Sequence, residues 1–439
     1  MPMSLLSGGN PMTEQEIADL GPAFARYLGR FRGCFRQDRT AAHFDTYCRG
    51  LLSDLPRKSV EPIALEAGTA VRTLQEFLVT ARWDHDHARD LLQHHLAEVI
   101  GELPDDELGT IGVIDETSCR KWGDHTPGVQ RQYLGCVGKI DNGIVTAHLA
   151  ATRGTFCALL DADLFLPEDW AADRPRCRAA GIPDDVGHRS KWQLALDQYI
   201  RARRAGLSFD WLVFDEGYGS KVPFLWVLSL VGQKFVAEVP VSFTVRRGAG
   251  GAPGRADEYQ PARGTQRWAR LRLSRKTLAA QVWRATSTRV WAADGWRVLV
   301  TAVSEKTGEV KYFVSNAVGE PLDRLVRVAF RRAAVEHAFR LGKQEAGLLD
   351  YEGRDYTGLV RHLVLSLVVL GFVATHTDRL RGEKPGRDGR AGVPGAEPAV
   401  FGRVPPAEGY AGASAHRRGH PIPPEEEQGG GHVPQEAAA

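Results

Sequence analysis

The chain lacks any paired CxxC spacing; its six cysteines stand singly at 34, 48, 119, 136, 157 and 177. That excludes a zinc ribbon and a disulfide framework and leaves reduced intracellular thiols. Bulk charge is nearly absent, at +2 over 439 residues, so any nucleic-acid surface must come from local clustering. The opening residues lack the basic-then-apolar pattern of a signal peptide. The longest apolar run, Leu363 to Ala374, is broken by Ser366 and Gly371. It is too short to cross a bilayer and reads as a buried helix, so the expected compartment is the cytoplasm. What remains is a globular chain long enough for two or three domains.

Two stretches carry chemistry. Ile111-Gly112-Val113-Ile114 is an apolar, partly β-branched run that ends on Asp115-Glu116-Thr117. A hundred residues later Phe209-Asp210-Trp211-Leu212-Val213-Phe214 runs into Asp215-Glu216-Gly217-Tyr218-Gly219. Both read as buried strands delivering acids into a turn. A carboxylate so placed is costly unless something positive meets it. Side by side, Asp115 and Asp215 would need a cation between them, and hard oxygen ligands suit magnesium or manganese. Each Asp could instead simply cap a following helix.

Residues 1–107 read as an all-helical domain, with Thr13 as the cap of its first helix. Within it, Ser59 to Leu78 has the outline of a helix-turn-helix, with Gly68 in the turn and Thr69 as cap. The unit is either a DNA reader or part of a plain bundle. Trp83-Asp84-His85-Asp86-His87 reads as an N-cap with a solvated first turn rather than a metal cluster. From 108 to 239 strands dominate: the Asp115 strand, Gly128–Gly135 and Gly143–Leu149 make a meander. A helix at about 189–205, the Asp215 strand and a strand at Lys234–Val239 follow. That order predicts an α/β fold with the mixed sheet of a ribonuclease H-like domain flanked by helices.

Residues 240–319 read as a β-rich insertion. Arg267, Arg270, Arg272, Arg275 and Lys276 precede Trp283, Trp291 and Trp296 in it. Such interleaving either grips a DNA backbone and stacks on an unpaired base, or is a half-buried sheet with core tryptophans. Residues 320–382 resume the core. There Arg332, Glu336 and Lys343, at offsets of four and seven, share one helical face beside an apolar stripe of Val335 and Phe339. An acid flanked by cations suits a metal and a phosphate together, or an ordinary ion-paired surface.

These segments resemble the DDE transposases of bacterial insertion sequences, most closely the insertion sequence 701 family, related to the insertion sequence 4 group. The likeness runs from about 40 to 382. It rests on Arg49-Gly50-Leu51-Leu52, Leu74 to Leu78, Asp115-Glu116-Thr117, Gly128 to Tyr133, Leu164 to Pro167, Asp215 to Gly219, and the Arg332/Glu336/Lys343 helix with Gly347-Leu348 and Tyr351-Glu352. The helix fits the related group's Y-R-E-K spacing except at the tyrosine, where Ala329 stands. The resemblance implies that Asp115, Asp215 and Glu336 form the catalytic triad and hold two Mg2+ or Mn2+ ions. Arg332 and Lys343 would position phosphates, with Arg131, Lys121, Tyr218, Arg270 and Arg272 as further DNA contacts. The implied partners are double-stranded DNA, as element ends and as target, and a second copy of the chain. Such a protein lies in the bacterial cytoplasm, on the nucleoid when bound. The alternative function is a remnant that binds element ends without transposing them.

Residues 383–439 turn abruptly to Gly, Pro, Ala, Glu and Arg without periodicity. They read as a disordered tail. A one-nucleotide shift in a permitted back-translation converts His420–Ala439 into a basic peptide, which marks the tail as a frameshift product or else as an unrelated disordered segment.

Overall fold

The computed structural model of the protein describes residues 14–259, 268–272 and 282–383. In chain order the helices α1 (Glu14–Gly29), α2 (Asp38–Leu52), α3 (Val60–Glu66), α4 (Val71–Val79) and α5 (His85–Glu102) come first. Strands β1 (Ile111–Arg120), β2 (Gln130–Leu134), β3 (Lys139–Arg153) and β4 (Phe156–Leu164) follow. Then come α6 (Glu168–Ala172), α7 (Arg174–Ala179), α8 (Lys191–Arg204), β5 (Trp211–Phe214), α9 (Glu216–Gly219), α10 (Val222–Leu230) and β6 (Phe235–Val239). The small pair β7 (Thr244–Val245) and β8 (Gly254–Arg255) precedes β9 (Ala269–Arg272), β10 (Val282–Ala292), β11 (Gly295–Ser304) and β12 (Val310–Ser315). Three helices close the described chain: α11 (Leu322–Ala329), α12 (Ala333–Glu345) and α13 (Tyr356–Glu383).

One mixed sheet organises these elements. β1 pairs antiparallel with β3 and parallel with β5, and β6 lies parallel beyond β5. The far edge of β3 takes β4 along one half and β2 along the other. The order β4-β3-β1-β5-β6, with the first three antiparallel and the last two parallel to β1, is the ribonuclease H-like arrangement expected from the sequence. Past β6 the sheet continues antiparallel through β12, β11, β10 and β9. The segment 240–319 therefore lengthens the central sheet.

Details of the sequence reading need correction. The meander's third core strand is β4, which was not anticipated, whereas β2 is a short ribbon on the end of β3. Strand β4 is hard to see because Asp161 and Asp163 interrupt its apolar run. Arg201 of α8 meets both, with its Nε 2.7 Å from Asp161. Asp115 lies in the middle of β1 rather than at its end. Thr69 does not cap α4, whose N-cap is Ala70 without a side-chain bond. Asp84 does cap α5, accepting from the His87 amide at 2.9 Å. Thr13, Arg267, Arg275, Lys276 and the tail from 384 lie outside the described residues. Trp283 is core, packed on Phe330 at 4.8 Å, while Trp291 and Trp296 meet edge to face beside the β10–β11 turn.

Helix α13 holds the N-terminal helices to this sheet. Its apolar window Tyr356–Thr377 is long enough for a bilayer, yet 83% of it is buried inside the protein. The seam is polar where helices end. Arg361 donates to the carbonyls of Leu78 (2.9 Å) and Trp83 (3.0 Å), closing the C-terminal end of α4, and lies over the Trp83 ring at 4.8 Å. Tyr27 donates to the Val368 carbonyl, and His362 bridges the Tyr47 hydroxyl and the Gly347 carbonyl. Burial pushes the Arg361 guanidinium down to about 10, still charged at neutral pH. Arg361→Met should remove this clasp and strand buried carbonyls. Urea unfolding is expected to show a loss of about 3 kcal/mol; a loss below about 1 kcal/mol would mean that apolar packing alone holds the seam.

Candidate active site

Strand pairing brings the two aspartates together. Ile111 to Ile114 lie opposite Trp211 to Phe214 in parallel register, so Asp115 and Asp215 leave adjacent strands at the same level. The register is pinned upstream, where Asp210 accepts the Thr110 amide at 2.7 Å. Gly109 makes room for that contact: its φ is +73°, and a Cβ would sit 2.2 Å from an Asp210 oxygen. Asp215 then caps the short helix α9, its Oδ1 accepting from Gly217 (3.0 Å) and Tyr218 (3.4 Å). The capping alternative is thus correct for Asp215, but it engages only that one oxygen.

Asp115 is in a different position. It is 8% exposed, and burial pushes its carboxyl up to about 6; Asp215 adds to the rise while Arg332 opposes it. Its Oδ2 accepts from Arg332 at 2.7 Å and its Oδ1 from the Glu116 amide at 2.8 Å. Arg332 also stands 3.8 Å from Glu336. Burial works against the guanidinium's charge, but Asp115, Asp215, Glu238 and Glu336 outweigh it and hold its pKa above the ordinary value. The arginine therefore sets a positive charge against Asp115 and links it to Glu336.

Helix α12 is seated by the anticipated stripe. Val335 and Phe339 are buried, and the Phe339 ring meets His148 edge-on at 5.0 Å. His148 lies directly opposite Asp115 on β3, fully buried, and burial pushes it down to about 3, so it is neutral. Glu336 and Lys343 remain on the exposed face. Arg332 sits just ahead of the helix, as the last residue of a short 3-10 turn. On the other face of β1, Glu116 pairs with Lys191 at 2.7 Å.

Among the described residues no three acidic, His or Cys side chains converge as a ready ligand set. Asp115 and Asp215 are neighbours, and Glu336 joins them through Arg332. The donor set nonetheless suits a divalent ion: the oxygens are hard, and the buried one is short of positive charge. Tyr218 is buried with an unpartnered hydroxyl; burial first, then Glu116, Asp215 and Asp115, raises its pKa well above the usual range. Lys121 donates to the carbonyls of Leu349 (3.2 Å) and Tyr351 (2.6 Å), tying the end of β1 to the segment after α12. Arg131 is exposed on β2, Arg272 is exposed on β9, and Arg270 is held by Glu305 at 2.9 Å. Lys191, Glu238 and His148 were missed. His148 and Glu238 lie on strands whose place in the sheet only the pairing reveals, and Lys191 begins the helix α8, whose Ser190/Gln193 capping box is visible in the chain.

The profile of the DDE superfamily endonucleases matches residues 30–302. The chain belongs to this family. The match contains both aspartate strands and stops before α12, so it does not cover Glu336. The chain is also similar to the probable transposase for insertion sequence element IS701 from Microchaete diplosiphon, 29% identical over 215 residues. That alignment covers 48% of this chain and 52% of the relative, so the chain spans about half the length of the curated relative it matches. The family resemblance seen in the sequence agrees with both findings.

The raised Asp115 value has a measurable consequence. Its folded pKa, about 6, lies above the ordinary 3.8, so the native state keeps a proton that the unfolded chain has released. Stability therefore falls as pH rises from about 4 to about 6, and the cost is complete above that. In chelator, Asp115→Asn should be more stable than the parent at pH 7.5 by roughly 2–3 kcal/mol, with the gap closing toward pH 4. A gap that is the same at both pH values would show that Asp115 titrates normally.

Proposed function

We propose that this DDE superfamily endonuclease is an insertion-sequence transposase. In this reading it cuts the ends of its element and joins them to target DNA, working as a homodimer in the bacterial cytoplasm. Asp115, Asp215 and Glu336 are the triad. The observation that carries the reading is the pair of aspartates on adjacent parallel strands, one of them buried against an arginine. Endonucleases of this family generally use divalent metals. Two such ions, held by the three acids, would supply a nucleophile at neutral pH and neutralise charge developing on a phosphoryl group.

The chain's own groups do the rest. Arg332 keeps Asp115 from facing Asp215 uncompensated, and its guanidinium can also pair with a phosphate. Lys343, one helical turn pair beyond Glu336 on the same exposed face, meets a neighbouring phosphate as a point charge. Neither contact reads sequence; both fix the backbone in place. Water opens the element-end phosphodiester and frees a 3′ hydroxyl, which then attacks a target phosphodiester in the same site. Tyr218 packs under the acids, and Arg131, Lys121, Arg270 and Arg272 extend the basic surface; Lys121 and Arg270 are already engaged within the protein and contribute less. The helix-turn-helix of α3 and α4 serves recognition of element ends. Nothing in the described residues favours the non-transposing remnant.

Asp115→Ala, Asp215→Ala and Glu336→Ala are each expected to lower nicking of labelled element-end DNA in magnesium by at least about 100-fold, while end binding persists. Gel analysis of nicks beside a mobility-shift assay separates the two effects. Cleavage retained in any one variant would remove that residue from the triad.

A further inference from the structure

The sheet does not stop at the carboxylates. Strand β1 runs on for five residues past Asp115, and the hairpin of β2 and β3 extends alongside and beyond it. Residues directly opposite in a sheet share a face, and alternate residues along a strand return to it. Asp115 lies opposite His148, so His148, Thr146, Ile144, Asn142 and Ile140 form the matching face of β3. Arg131 lies opposite Asn142 and Tyr133 opposite Ile140. Arg131, Tyr133 and Ile140 therefore stand on the face of Asp115, further along the same strands.

This ribbon carries side chains that the core does not use. Tyr133 and Ile140 are each 62% exposed although they form one cross-strand pair. Arg131 and Lys139 are exposed, and among the described residues neither has an ion pair. Beside the ribbon Trp122 is 82% exposed, with the Arg120 guanidinium over its ring at 4.3 Å. Of the acids here, Asp141 is paired with Arg120 at 3.1 Å and Asp124 stands 3.4 Å from His125. The excess is cationic, and aromatic or apolar groups are interleaved with it.

We infer that the β2–β3 ribbon enters the major groove of duplex DNA held in the site, with Arg131 on a phosphate and Tyr133 and Ile140 against the groove floor. The inference rests on the proposed endonuclease site and adds a place and a partner surface to it. A major groove admits a two-stranded ribbon. The cationic excess complements phosphate, and the ribbon is continuous with the strands that carry the acids. From His148 to Asn142 is six residues of β3, roughly 20 Å. At ~3.4 Å per base pair that is about six base pairs from the reacting phosphate.

The test is equilibrium binding of the full chain to a labelled 30-base-pair duplex, with Arg131→Ala/Tyr133→Ala and, separately, Ile140→Glu. All three positions are solvent-facing, and thermal melting checks that the variants fold. Each variant should weaken binding by about tenfold in 0.1 M salt, and the double variant should flatten the salt slope by about one unit. A major-groove ligand, methyl green, should compete with the parent chain, whereas the minor-groove ligand netropsin should not. Unchanged affinity and slope in both variants, competition by netropsin alone, or a parent chain that binds no duplex would each overturn the inference. Metal-dependent nicking is scored separately, so a chain that nicks but fails these tests refutes the ribbon, and one that passes them without nicking refutes the catalytic reading.

Discussion

The pairing of Asp115 with Arg332 is the contact on which the rest of the site depends. A carboxylate in the middle of a central strand, next to a second carboxylate, cannot stay charged without a counter-ion. Arg332 supplies one from the end of a helix 217 residues away in sequence. To deliver it, α11 must pack on the parallel strands and α12 must lie against β3 and β4. The stripe of Val335 and Phe339 secures α12.

Much of this was legible in the chain because the signals were local. The two strands announced themselves by their β-branched runs, and the parallel pairing that joins their acids follows from the order of strands and helices. The exposed face of α12 that carries Glu336 and Lys343 follows from 3.6-residue periodicity, whereas Arg332 stands in the 3-10 turn before the helix. The parts that escaped depend on partners distant in sequence. Strand β4 was not anticipated because two acids interrupt its apolar run, and Arg201, reaching across from α8, makes those acids tolerable. His148 beside Asp115 is placed by pairing register and Lys191 beside Glu116 by the packing of α8 on the sheet, neither of which any window of residues contains. The arginine that meets Asp115 was not foreseen as its partner, because Arg332 lies 217 residues away in sequence.

The long insertion shows how two readings of one segment divide. Trp283 is core, as the half-buried sheet requires, and Arg270 is held by Glu305. Trp296 is 38% exposed at the tip, with Arg289 over its ring at 4.3 Å. Periodicity in the sequence could not separate these tryptophans, because their burial depends on which part of the β10–β11 hairpin other elements cover. Phe330, just past α11, covers Trp283 at 4.8 Å, while Trp296 lies at the exposed tip.

The clasp at the end of α4 sets a schedule for synthesis. The carbonyls of Phe77 and Leu78 wait for Arg361, which follows Phe77 by 284 residues. At ribosomal rates of 5–20 residues per second that delay is roughly 15–60 s. Through that interval the nascent helices α1 to α5 carry open polar ends and an apolar face whose cover has not been made. A transcript cut short before α13 would yield a product unable to bury that face, so an interrupted copy of this gene is a liability to proteostasis as well as a loss of activity.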